Sequence, residues 1–234
     1  MVNVICAPGR NDPNVRPIAD LLVVRGVNES RFLVEPTFID WGPRALSRTP
    51  TQTPSLAISA DASWSAQILR RIAQTAPGAG IMIFDADVDG PLRLLEPLVT
   101  EGVVDADRVI IVGCRGMSAQ SSTYITAHPI RVFSSKEISF DGIAAVSDAI
   151  MSVSRMWPAL HISFSLRALD PAFAPGVRQP LPGGLTTREA TYFAQRLRNL
   201  RNVAVTEISG LESGRDREST TAAAAAWILG EIAR

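Results

Sequence analysis

The chain has 234 residues, 46% of them hydrophobic and 20% charged, enough apolar material for one sizeable core. Its 23 basic and 23 acidic residues cancel. Bulk charge therefore argues against nucleic acid or an anionic membrane surface as a partner and leaves small molecules or other subunits.

The N-terminus, MVNVICAPGR, has no basic head leading into a long apolar core, and no run approaches the roughly 18 apolar residues of a membrane span. A cytoplasmic location is the resulting expectation. Short runs rich in Val, Ile and Phe then recur: VNVIC near the start, FLVEPTFI at 32–39, SLAIS at 55–59, IMIF at 81–84 and RVIIVG at 108–113. IRVF at 130–133, LHISFS at 160–165 and NVAVTEIS at 202–209 follow. Runs without strict alternation suit strands covered on both faces. Helical patterns lie at 63–76, 141–156, 187–200 and 217–233, with a Thr186/Glu189 capping box and Asp216 as a cap. Segments 7–17 and 41–54, rich in Pro, Asn, Thr and Gly, read as loops. Cys6 and Cys114 fall inside strand runs and read as buried thiols. Strand and helix take turns throughout, which predicts one α/β domain over 1–234: three α/β/α layers around a mainly parallel sheet of about eight strands.

In such sheets working groups gather at the carboxyl ends of the strands. Asp61, Asp85, Arg115, Arg167 and Glu207 all stand at or just past predicted strand ends. They are candidates for one crevice, although a polar residue after a strand also serves to begin a turn.

The densest cluster is DADVDG at 85–90, where three carboxylates at alternate positions repel one another unless a cation or good donors are supplied. DADVDGPLRLLE (85–96) satisfies the calcium-loop pattern of Asp85, Asp87, Asp89, Gly90 and Glu96. Its setting does not: the segment leaves a strand and not a helix, and Arg93 occupies a position that supplies an oxygen or a water.

The stretch SFSLRALDPAFAPGVRQPLPGGL at 163–185 is similar to the signature of the arginase and agmatinase (ureohydrolase) superfamily, through Ser163, Asp170, Pro171, Pro175, Gly176, Pro180, Gly183, Gly184 and Leu185. FDADVD resembles the family's Asp-Ala-His-x-Asp motif and SADAS (59–63) its Gly-Gly-Asp-His-Ser motif. VIIVGCRG resembles its Ile-Gly-x-Arg strand and VTEISGL its glutamate-bearing strand. Together these cover residues 55–233 in order.

The resemblance implies two manganese ions held by two histidines and four aspartates, with a bridging hydroxide attacking an amidine or guanidinium carbon. Two metals lower the pKa of the bound water and share the charge that develops. Carried over, however, Ala62 stands at the first histidine, Asp85 is retained, Asp87 stands at the second histidine and Asp89 is retained. Ser165 and Arg167 stand at the two aspartates of the long signature. Arginine is a permanent cation and no metal ligand.

Two readings follow. In the favoured one, Arg167 donates to one or more of Asp85, Asp87 and Asp89 and takes over part of the metals' electrostatic role, so that the chain is a noncatalytic ligand-binding or partner subunit. In the other, one divalent cation, manganese by resemblance, sits at Asp85, Asp87 and Asp89 of a divergent amidine hydrolase. Glu207 matches the glutamate that orients a guanidinium, so a small cationic or amidine-like ligand is expected near Arg167, Glu207, Ser165 and Arg115, with Arg115 also placed to meet an anion. By the same resemblance the chain forms a homo-oligomer, a trimer or hexamer, or joins a paralogue.

Other features carry less. His128 and His161 miss the family's ligand positions, and His161 reads as a hydrogen-bonded core residue. RLRNLR at 196–201 suits a helix end or a subunit contact. Ser63 and Ser163 have no adjacent histidine that would make either a nucleophile.

Overall fold

The structure, a computed structural model, describes residues 4–7, 11–25, 32–33 and 55–233. Within them lie strands β1 (Val4–Ala7), β2 (Phe32–Leu33), β3 (Ser55–Ser59), β4 (Gly80–Phe84), β5 (Val109–Cys114), β6 (Arg131–Ser134), β7 (Leu160–Ser165) and β8 (Val203–Ser209). They form one sheet in the order β2-β1-β3-β8-β7-β4-β5-β6, with every pair parallel. The predicted strand at 32–39 is described only at its first two residues; its remainder and the predicted loop at 41–54 lie outside the described residues. β3, β4, β5 and β7 are buried along their whole length, as their unbroken apolar runs require.

The helices are α1 (Arg16–Val24), α2 (Ser63–Thr75), α3 (Asp89–Thr100), α4 (Ala119–Ala127), α5 (Ser135–Asp141), α6 (Ile143–Ser154), α7 (Thr187–Leu197) and α8 (Thr220–Ala233). Strand side chains alternate between faces and so feed two layers of core. Met82, Phe84, Ile162 and Phe164 pack on the side of α1, α6, α7 and α8. Ile81, Ile83, Val109 and Ile111 pack with α3, and Ile5, Ala57 and Val205 with α2. The Thr186/Glu189 capping box opens α7, and both carboxylate oxygens of Asp216 accept from backbone N–H groups of Thr221 and Ala222 in the first turn of α8. Cys6 and Cys114 are buried thiols. No helix among the described residues is long and apolar enough to cross a membrane.

The last two strands, β7 and β8, sit at the centre between β3 and β4. That crossover makes neighbours of strand ends that are far apart in sequence. The loop after β7 returns to lie against β7's own end: Leu169 bridges Leu185, and Leu185 N–H donates to Ala168 O (2.9 Å). Gly184 makes this approach possible, because a Cβ there would stand 2.5 Å from Asp170 N and 2.7 Å from Ala168 O. Both obstacles are backbone, so they cannot turn aside. Gly184→Ala should therefore cost about 1–3 kcal/mol, read as a lowered denaturation midpoint; an unchanged midpoint would show that the loop does not pack this closely.

A second fastening joins α3 to α4. Asp89 Oδ1 accepts from Ser121 Oγ, from Ser118 Oγ (2.7 Å) and from Ser118 N (3.1 Å), where Ser118 is also the N-cap of α4. The Ser121 and Ser118 donors hold the Asp89 carboxyl below its ordinary value. A depressed carboxyl pKa stabilises the fold above the unfolded value of about 3.9, and that contribution is lost as pH falls through the folded value. Asp89→Asn should lower thermal stability at neutral pH, and the gap from wild type should close in titrations below about pH 4.

Candidate functional site

On the α2 and α3 side of the sheet, polar residues form rows at its carboxyl edge. Ser59 pairs in register with Ser209, and Ser209 with Ser165; Asp85 lies one step beyond the Phe84–Phe164 pair. One row deeper, Glu207 is opposite Ser163, and Ser163 is opposite Ile83. Above these rows opens a cavity of about 550 Å³. Its walls are the first turns of α2 and α3, the ends of β4, β7 and β8, and the loop residues Arg167, Arg178 and Glu212.

Arg167 reaches back across this edge. Its Nη1 donates to Asp85 Oδ1 at 3.3 Å and its Nη2 to Asp87 Oδ2. Both ends are partly sheltered, with side-chain exposures of 22% for Arg167, 7% for Asp85 and 20% for Asp87, so water screens the pair only in part. Burial pushes the Asp85 carboxyl up to about 6 against the opposing pull of Arg167 and of the Ala86 N–H. Burial opposes the charge on Arg167 as well, but Asp85 and Asp87 outweigh it and raise its pKa. The remaining Asp87 oxygen accepts from Gly90 N–H (2.8 Å), and Ser165 Oγ accepts from Arg167 N–H (3.3 Å).

Asp89 does not join this group, since its donors are Ser118 and Ser121. The calcium-loop pattern fails for the same local reason: residues 89–100 are wound into α3, so Asp89 and Glu96 do not curl around a point shared with Asp85 and Asp87. Among the described residues no three His, Cys, Asp or Glu side chains are arranged to hold a metal ion. The donor chemistry agrees. Ala62, the N-cap of α2, offers no ligand atom, and at Arg167 a guanidinium occupies the ground between Asp85 and Asp87. These residues do not fit a manganese pair.

Two expected ligand contacts have other work. Arg115 donates to the carbonyls of Arg167 (3.0 Å), Pro182 (2.9 Å) and Ala168 (3.3 Å), and also to Leu181 and Leu169. It clamps the loop after β7 to the end of β5 and thereby seats the backbone of Arg167. Desolvation lowers its pKa, since its partners are carbonyls and not carboxylates. Glu207 is fully buried and is not among the residues lining the cavity. Its Oε1 accepts from Ser59 Oγ (2.5 Å) and its Oε2 from Ser65 Oγ, which also meets Ser163 Oγ at 2.9 Å. His161 Nε2 stands 3.3 Å from Oε2, yet among the described residues neither imidazole nitrogen finds a hydrogen bond of good geometry, contrary to the bonded core histidine expected.

Ser59, Ser65 and Ser209 belong to this site without being singled out by the sequence, and Arg93, noted there only for its place in the calcium-loop pattern, joins them. The signal for part of it was present: HISFS and TEIS alternate polar with apolar residues inside otherwise apolar strands, which places His161, Ser163, Ser165, Glu207 and Ser209 on one face.

Comparison with known proteins points one way. A family model described as the arginase family matches residues 50–233. An arginase of Brevibacillus brevis is 32% identical over 130 residues, covering 55% of this chain and 44% of that protein. The proclavaminate amidinohydrolase of Streptomyces clavuligerus is 28% identical over 170 residues, covering 67% and 54%. The chain thus spans about half the length of the curated relatives it matches. The crystal structure of arginase from Bacillus cereus superposes with a TM-score of 0.82 over 99% of this chain and 97% of that one at 20% identity, a likeness of fold. Because the family match takes in both strand ends that carry Asp85 and Arg167 as well as the loop that Arg115 clamps, the chain belongs to the arginase family.

Proposed function

We propose that this chain keeps the arginase scaffold without the binuclear manganese centre and acts as a noncatalytic ligand-binding or partner subunit. The observation that carries the reading is the guanidinium of Arg167 seated between Asp85 and Asp87. A divalent ion about 4 Å from a guanidinium is repelled by roughly 8 kcal/mol at an effective dielectric near 20. Ala62 and Ser165 supply no charged ligand to offset that repulsion, and Asp89 is spoken for by Ser118 and Ser121. The single-metal hydrolase at Asp85, Asp87 and Asp89 meets the same two obstacles. As a partner subunit the chain assembles with copies of itself or with a competent paralogue, and the mass of the native assembly distinguishes these.

The reading predicts that purified protein, loaded with manganese and then dialysed, retains far less than one metal per chain. It also predicts no urea or ammonia from arginine, agmatine or other linear amidines. Near-stoichiometric manganese together with release of either product would overturn it.

Arg167→Ala leaves Asp85 and Asp87 facing each other without a cation, and removing one member of a sheltered pair costs about 3–5 kcal/mol when burial is complete. With the exposure found here the loss should be somewhat smaller. Free guanidinium at low millimolar concentration should restore part of the lost melting temperature in this variant and leave wild type unmoved, because it binds only the emptied seat. Equal responses in the two proteins would show that Arg167 does not fill such a seat.

A further inference from the structure

Resting on the reading that Arg167 stands in place of the metals, we propose that the cavity over the sheet edge binds a small anion, a carboxylate or a phosphate, and not the cationic amidine that the family resemblance implies. Three carboxylates face the cavity, and each has a partner in the protein. Asp61 accepts from Ser63 N–H (2.8 Å) at the start of α2. Asp85 accepts from Ala86 N–H (2.6 Å) and from Arg167. Glu212 Oε1 accepts from Arg178 (3.2 Å), and its Oε2 stands 2.5 Å from Arg215 Nε as an ion pair without a hydrogen bond of good geometry. A cationic ligand entering this space would meet carboxylates that each already have an N–H or a guanidinium beside them.

Donors, by contrast, are left over. A guanidinium carries five N–H groups. On Arg167, Asp85 and Asp87 engage one on each terminal nitrogen, and the backbone oxygen of Gln179 accepts from Nε (3.5 Å). Among the described residues one N–H on each terminal nitrogen stays unspent on a side chain that lines the cavity. Arg93, projecting from α3 into the same wall, forms no ion pair among the described residues, and its charge acts on Asp89, a turn earlier on its own helix. Ser209 also lines the cavity and is 1% exposed, and its Oγ has no hydrogen-bond partner among the described residues. A buried hydroxyl without a partner is costly and unusual, and an acceptor from outside would satisfy it. Arg93, Arg167 and Ser209 come from three separate elements and surround one volume, which suits a planar or tetrahedral oxyanion. At about 550 Å³ the cavity is of a size for a small metabolite.

The test uses the purified full chain, with succinate and inorganic phosphate as anionic probes and agmatine and methylguanidinium as cationic ones, in calorimetry and thermal shift at matched ionic strength. One or both anions should bind saturably, and the arm that does so identifies the source of the negative charge. Arg93→Ala, at an exposed position where the fold is not at risk, should weaken that binding by roughly ten- to a hundredfold, and Ser209→Ala by roughly threefold to tenfold. Binding of the cations alone, no response to either anion, or unchanged anion affinity in both variants would overturn the proposal. These outcomes are separate from the metal and hydrolysis assays: an inactive, metal-free chain that ignores anions defeats this inference and leaves the noncatalytic reading standing.

Discussion

A single guanidinium between two carboxylates organises the carboxyl edge of this sheet. Asp85 and Asp87 stand two residues apart at the end of β4, close enough that each raises the cost of charge on the other. Arg167 meets both, but only because its backbone is delivered to the right place. Ser165 Oγ accepts from its N–H on one side, and Arg115 donates to its carbonyl on the other. Arg115 in turn reaches five other carbonyls of β5 and the returning loop. The ion pair therefore depends on a clamp made almost entirely of hydrogen bonds to backbone, and the clamp depends on the close approach allowed at Gly184.

Beneath that edge the same strand faces carry a second polar layer that is closed to solvent. Glu207 receives two serine hydroxyls, from β3 and from the first turn of α2, with His161 beside it. A buried carboxylate is tolerable when donors satisfy it. This arrangement explains why the residue that family resemblance assigns to a substrate guanidinium does not reach the cavity: the serines fill the space through which a ligand would come. The hydroxyls one row above, at Ser165 and Ser209, line the cavity together with Ser163 from the row of Glu207 itself, so the boundary between core and site falls within about one step of strand register.

Much of this was legible in the sequence, unevenly and for physical reasons. Fully covered strands carry unbroken apolar runs, and β3, β4, β5, β7 and β8 fall within about one residue of them. α3 stayed hidden because its first turn holds the calcium-like acids and it contains Pro91 and Pro97, residues that ordinarily argue against a helix. α4, AQSSTYITA, buries little and has almost no apolar periodicity to detect. At the site, strand ends indicated which residues would be near one another, and Asp85 and Arg167 did meet. Proximity says nothing of direction, however. Arg115 turned to carbonyls and Glu207 into the core, and for Glu207 the alternation along TEIS was the better guide.

Direction also revises the charge count. Counting positions gives three aspartates against one arginine, an excess that invites a further cation. In the fold Asp89 leaves the cluster, satisfied by two serines and a backbone N–H, so that Arg167 faces two carboxylates and not three. Of those two, Asp85 is so far withdrawn from water that its own pKa rises to about 6 even beside the guanidinium, whereas Asp87 keeps a backbone donor at Gly90. The seat is thus nearer to electrical balance than the sequence suggests, and a divalent ion would overcompensate it. What an arginine supplies here is one charge, spread over a planar fork that bridges two oxygens of neighbouring residues, and on the reading proposed above it stands in the place of several charges concentrated at points. That exchange suits a site whose remaining ligand positions are an alanine and a serine, because it stabilises the retained aspartates while asking nothing of them.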